Sequence, residues 1–488
     1  MGAYERLQEG LGGRLEVQCS TMEHVVVVLP SHTMPPRLLL HNASQLPALE
    51  HRALLDGLQV AHSTGVEVIV VTSAAPPEAV LTYYARLACP NSPEQARRRI
   101  SCMVVPDDGA RGIAAKLLDR PDLLTVLRER IAGRPAVIEP WNVTPDEVAV
   151  ALALDTPING GPSELWPLGF KSASRRLFRQ ASVPVPVGVE EVHDSAEVAA
   201  AITAMRHDRP LLDRVVVKLD NSGAGEGNWV TTTRDEPGRE LTTVELTAHI
   251  ETHAPAWFLT DLAAGGVVED LVTGLDLASP SGQAEIRPGG QVVVLATHEQ
   301  VLGGASGQVF TGSRFPADSA YAAALAQHTA AVAHRLADQG ALGWVTVDFV
   351  AHRDTHGWEL VAVDLNLRKG GTTHSYAALR HLVPGSYDAT RQRWVADTDG
   401  SPRYYHSSDA AGGPGWIGMD PADAVRAVTS SGLSFEGTRG SGVVLHMFPA
   451  LRGNGTIGVT AIGRSASEAD ELFDAVPAVI DARVRTAS

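Results

Sequence analysis

The chain has 488 residues, a formal net charge of −16, and 44% apolar against 20% charged residues. That length allows roughly two to four domains with full cores. The acidic balance and the absence of a basic stripe argue against a nucleic-acid partner, and no apolar run approaches the roughly 18 residues of a membrane span. Cys19, Cys89 and Cys102 form neither a metal spacing nor an even set, which points to a reduced, cytoplasmic compartment. The short run 25–29 follows Glu23-His24 and reads as a strand, not as a signal peptide. Only four of the 40 basic residues are lysines, at 116, 171, 218 and 369. A chain so biased to arginine keeps lysine mainly where a compact, mobile ammonium is needed; Lys116 carries no further signal.

Residues 1–165 read as an α/β domain. The apolar runs 24–30, 66–73, 102–108 and 135–141 are short and followed by loops, as in buried parallel strands, with helices expected at 46–62 and 114–131. No catalytic cluster stands out there. The loop 159–163 (Asn-Gly-Gly-Pro-Ser) marks the exit. Lys171 then opens a short helix that Val183-Pro-Val-Pro186 ends. The next strand ends in Lys218, and a loop with Gly223, Gly225 and Gly227 leads into another strand. Glycines let the backbone approach phosphates and aim N–H groups at them. There is no Gly-Lys-Ser/Thr, and no helix pattern follows, so neither a Walker loop nor a dinucleotide fingerprint is present. An ordinary glycine hairpin fits this segment taken alone.

Two further strands are expected near 283–287 and 291–300, where His298 and Glu299 alternate faces, and then a loop at 303–307 leads to Arg314. The span 319–340 reads as an amphipathic helix on Tyr321, Leu325, Val332 and Leu336, capped by Ser319 and Gly340. Residues 344–373 read as two strands joined around 352–357. Period-2 alternation puts Val345, Val347 and Phe349 on one face and Thr346 and Asp348 on the other; in the second strand Val361, Val363, Leu365 and Leu367 oppose Asp364, Asn366 and Arg368. Carboxylates with an amide oxygen suit Mg²⁺, and an arginine two residues on suits a phosphoryl group or oxyanion. A hairpin with a solvated polar face is the bland alternative. From about 380 the chain is rich in Gly, Ser and Asp, with strands near 442–448 and 458–462, a closing helix at 465–484, and a turn at Gly453-Asn-Gly455-Thr-Ile-Gly458.

Asp348 with Asp364-Leu-Asn366-Leu-Arg368, preceded by Lys171 and by Lys218 with its glycine loop, resembles the ATP-grasp superfamily over roughly 166–375. The superfamily often has Glu where this chain has Asp364. The resemblance implies an α/β (α+β) fold: a pre-ATP-grasp domain at 1–165, an ATP-grasp domain at 166–375, and a C-terminal domain at 376–488 that completes the substrate site. It implies ATP and Mg²⁺ as cofactors, with Asp348, Asp364 and Asn366 on the metal. Lys171, Lys218, Gly223, Gly225 and Gly227 would serve the phosphates. The segment 267–276 matches the interdomain hinge, with Glu269 and Leu271 flanking the base and Asp276 on the ribose. Arg368 and Arg314 would be the catalytic cations. The stretches 366–374 and 446–463 are similar to pheganomycin-type peptide ligases. That implies amide formation through an acyl phosphate, joining a nonproteinogenic guanidino or amidino amino acid to a peptide N-terminus in natural-product biosynthesis. The expected partners are a small amino acid donor and a peptide acceptor, without nucleic acid or membrane, and with a homodimer as an allowed assembly. Carboxyphosphate chemistry and a non-catalytic ATP-binding protein are the competing readings.

Overall fold

The computed structural model describes residues 2–18, 21–223, 225–235, 238–303 and 309–487. Strands β1 (His24–Leu29), β2 (Val66–Thr72), β3 (Ile100–Val104) and β4 (Ala136–Pro140) form a parallel sheet in the order β3-β2-β1-β4. All six residues of β1 are buried. Helices cover both faces of such a sheet, which is why its strands read as unbroken valine runs instead of alternating. The helix expected at 46–62 is α-helical over Leu46–Arg52 and continues as a 3₁₀ helix over Ala53–Ala61. The one expected at 114–131 is split into Ile113–Leu118 and Pro121–Ile131. Pro121 has no N–H to extend a helix but is well suited to begin one.

The second sheet is antiparallel, order β5-β8-β6-β7, from β5 (Gly188–Val192), β6 (Arg214–Leu219), β7 (Asn228–Thr232) and β8 (Gly266–Asp270). The remaining strands make one eleven-stranded sheet: β9 (Asp276–Ala278), β10 (Pro280–Arg287), β11 (Gln291–Gly303), β12 (Val309–Phe315), β13 (Gly343–Arg353), β14 (Trp358–Asn366), β15 (Gly385–Asp388), β16 (Arg393–Ala396), β17 (Pro402–Gly412), β18 (Gly442–His446) and β19 (Thr456–Gly463). Its main path runs β14-β13-β10-β11-β12-β17-β16-β15, and β17 also pairs β19. The C-terminal strands therefore continue the sheet that carries β13 and β14. Helix Ala322–Asp338 packs on β10 and β11 and buries Leu325, Val332 and Leu336. It begins after Tyr321, not at Ser319, and has no side-chain cap at its start. Helix Ala466–Ala487 covers β17 and β19. Among the described residues no helix is long and apolar enough to cross a membrane.

The hairpin β13–β14 forms as the sequence indicates, with one correction. Asp348 pairs with Asp364 but Phe349 pairs with Ala362, so Val363 is an extra residue on β14. Such a bulge reverses which face each following side chain takes. The core therefore receives Leu360, Ala362 and Leu365, while Val361 and Val363 stay half-buried and do not share the face of Leu365.

Candidate active site

A cleft of about 790 Å³ is lined by residues of the second and third sheets together with loops and a helix of the first domain. The row Ser281–Asp348–Asp364 runs across β10, β13 and β14 at one end of it. Asn366 lies one pleat further along β14, and its Nδ2 donates to Asp348 Oδ2 at 3.1 Å. Gln300 Nε2 donates to the other oxygen, Oδ1, at 2.6 Å. Burial and the neighbouring Asp364 carboxylate push Asp348 up to about 6. Two carboxylates forced together in a buried cleft, with an amide oxygen beside them, are the donor set a small divalent cation takes. These residues fit Mg²⁺, and its charge would relieve that repulsion.

Lys171 begins helix Lys171–Gln180 and reaches Asp364 Oδ1 at 2.6 Å. Asp220, just after β6, accepts from the backbone N–H of Ser172 at 2.8 Å and from its hydroxyl at 2.7 Å. This caps the helix in trans and ties the Lys171 segment to the strand that ends in Lys218. Lys218 and Glu269 are diagonal neighbours on β6 and β8, and Lys218 Nζ lies 2.5 Å from Glu269 Oε2. Arg175 binds the other oxygen of Glu269. The Glu269 side chain is thus spent on two cations, and the segment Glu269, Asp270, Leu271 and Val272 borders the cleft. Gly223 and Gly225 line it as well. Gly225 has φ +79°, and a Cβ on Gly227 would lie 2.3 Å from that of Ser222. Both constraints demand glycine.

Arg368 reaches the cleft after β14, and its Nη1 donates to the Lys369 carbonyl at 2.9 Å. Lys369 itself turns the other way, to Asp56 at 3.2 Å and Glu139 at 3.7 Å. Burial alone would pull its pKa down, but those two carboxylates outweigh burial and raise it.

Three expected site residues do not line the cleft: Gly227, Arg314 and Asp276. Arg314 pairs with Asp470 of the closing helix at 3.1 Å. The reason is a second bulge: Val301 pairs with Gly312 and Leu302 with Phe310, leaving Thr311 extra on β12. Phe310 lines the cleft, and the reversal past Thr311 turns Arg314 away. Asp276 is held by Arg353 of β13 at the outer edge, whereas Leu277 and Ala278 line the cleft. His298 and Glu299 also stay out. His298 is fully buried against Phe315, Tyr376 and Tyr405, and burial pushes it down to about 3. Glu299 accepts from Tyr321 at 2.6 Å; Gln300 is the residue of that strand that reaches the site. Of the loop 303–307, residues 304–307 lie outside the described residues.

Sequence reasoning expected the C-terminal segment to complete the substrate site but named no residue of it, and it missed the first domain altogether. His32, Arg52 and Trp141 from the loops and a helix of the first domain, Asp409 of β17, and Met447 just after β18 line the same cleft. The His32 and Arg52 side chains both pack on Trp141, at 4.6 Å each. Arg52 Nη1 donates to Asp409 Oδ2 at 2.9 Å, and His374 Nε2 meets Asp409 Oδ1 at 2.8 Å.

A family model described as IQCH-like, ATP-grasp matches residues 251–390, and the PGM1 C-terminal domain model matches 423–476. The L-propargylglycine–L-glutamate ligase of Streptantibioticus cattleyicolor is 32% identical over 430 residues, covering 85% of this chain and 86% of that protein. Among solved structures, the biotin carboxylase–β,γ-ATP complex of Campylobacter jejuni superposes with TM-score 0.57 at 12% identity, over 93% of this chain and 90% of that one. The biotin carboxylase domain of Hydrogenobacter thermophilus 2-oxoglutarate carboxylase, with MgADP, gives 0.54 at 11% identity, over 95% and 94%.

Proposed function

The chain belongs to the ATP-grasp ligases, ATP-dependent enzymes that form a C–N bond with release of ADP, and from that premise we propose that it activates an amino acid carboxylate as an acyl phosphate and transfers the acyl group to an amine. The observation that carries this reading is the convergence of Asp348, Asp364, Asn366, Lys171 and Arg368 at one end of a single cleft. Mg²⁺ bound by Asp348, Asp364 and Asn366 would neutralise phosphate oxygens. Lys171 and Lys218 bring point charges to the phosphate tail, and the backbone around Gly223 and Gly225 covers it. Arg368 offers its guanidinium to the phosphoryl group as it moves to the donor carboxylate, and then to the oxyanion formed when the amine attacks. Positioning and charge account for such a transfer, so no Ser or Cys nucleophile is required.

The donor in this reading is a nonproteinogenic amino acid with a guanidino or amidino group, on the resemblance of 366–374 and the C-terminal segment to pheganomycin-type ligases. For the acceptor, the same resemblance favours a peptide N-terminus, whereas the name of the Streptantibioticus relative favours a free amino acid. We take 1–165, 166–375 and 376–488 as the functional units. Asp409 and Met447 in the cleft support a substrate role for the third. The metal is tested by chelation: ADP release is expected to fall to background in EDTA and to return with excess Mg²⁺. Turnover that persists in chelator would remove the metal from this account.

A further inference from the structure

Arg52 lies far in sequence from the ATP-grasp segment, yet its side chain is buried in the cleft wall. It is 6% exposed and comes from helix Leu46–Arg52 of the first domain. Two contacts fix its guanidinium, the Trp141 ring at 4.6 Å and Asp409 Oδ2 at 2.9 Å, and the His374 imidazole holds Asp409 in turn. Asp409 takes only Nη1. The Nε–H is buried without an acceptor among the described residues. A guanidinium presents five donors in a planar fork, and an unused edge of that fork matches a carboxylate. Arg368 lines the same cleft: the two guanidiniums repel, and burial and these two charges hold the His32 pKa well below the usual histidine range. Two like charges on the wall of one cleft are stabilised by an anion bound between them.

We propose that Arg52 binds the α-carboxylate of the acceptor, so that the amine substrate is a free amino acid and not a peptide N-terminus. The assignment rests on the ligase reading above. The donor carboxylate is consumed at the Asp348–Asp364–Arg368 end, where the phosphoryl group arrives, so it cannot also serve Arg52 on the first-domain wall. A free amino acid carries a second carboxylate one carbon from its amine; a peptide N-terminus carries an amide there. The Asp409–His374 pair positions the guanidinium and leaves its remaining donors to the substrate.

The test compares acceptors within one protein, so that loss of folded enzyme cancels. Each of the twenty amino acids is offered as free acid, as α-carboxamide and as the N-terminal residue of a dipeptide, with ATP, Mg²⁺ and the donor acid that yields hydroxamate with hydroxylamine. Wild type is expected to prefer the free acid over its carboxamide by on the order of 10²-fold in kcat/KM. Arg52→Ala is expected to bring that ratio to near unity, chiefly through the KM of the free acid. Arg52→Lys, which keeps a charge against Asp409, is expected to fall between. Hydroxamate formation with peptides or carboxamides accepted as well as free acids, or a preference unchanged in Arg52→Ala, would overturn the assignment while the ligase reading stands. No hydroxamate with any acid would instead break the reading on which it rests.

Discussion

Arg368→Ala is expected to lower amide formation by about 10²–10³-fold while ATP still binds. Arg368 follows Asp364 and Asn366 at a spacing of two, and within the protein its Nη1 donates to a backbone carbonyl, that of Lys369. Asp364 and Asp348 hold it electrostatically in the cleft, against burial and the repulsion of Arg52. In the proposed reaction its charge acts on the phosphoryl group and then on the oxyanion that develop in this cleft. The proposed nucleotide contacts are Lys171, Lys218 and the glycine loop, so the loss should appear in kcat more than in the ATP KM. Arg368→Lys should recover little, because a point charge does not reproduce a fork. Near-normal turnover of the alanine variant would remove Arg368 from the chemistry.

Glu269→Ala should cost the protein stability as well as activity. Glu269 is 1% exposed and is shared by Arg175 and Lys218, themselves 2% and 7% exposed. Its removal leaves two buried cations facing each other. Arg175 keeps Glu190 at 2.7 Å, but among the described residues Lys218 keeps only the Val363 carbonyl at 3.4 Å. Breaking a buried pair from one side costs on the order of 3–5 kcal/mol. Urea denaturation of the ligand-free protein should show a loss of that size in the unit carrying β6 and β8. MgATP should narrow the deficit, because phosphates give Lys218 a new counter-charge. A loss under about 1 kcal/mol would mean that the cations relax outward to water.

What could be read from the sequence was what lies close together along the chain. Asp348, Asp364, Asn366 and Arg368 sit on one hairpin, and Lys218 ends a strand just before its glycine loop, so local spacing sufficed. Bulges defeated the rest: one extra residue at Val363 reversed the expected face of Val361, and another at Thr311 turned Arg314 onto the closing helix. Alternation counts residues and cannot see which one the partner strand skips. Arg52, Trp141 and Asp409 carried no local signal because the cleft assembles them from opposite ends of the chain. Lysine scarcity did carry information. Lys171 and Lys218 face the cleft, Lys369 is buried between two carboxylates, and even Lys116, which carried no signal, is buried with its ammonium 2.7 Å from the Asp107 carbonyl.

The central claim, activation of a carboxylate by phosphoryl transfer, is tested most directly by trapping. The enzyme is incubated with ATP, Mg²⁺, hydroxylamine and a panel of amino acids that includes guanidino acids. Hydroxamate of one or a few of these acids, formed one-to-one with ADP, is the result this account predicts. Hydroxamate formed with AMP and pyrophosphate would mean an adenylate, and would contradict it.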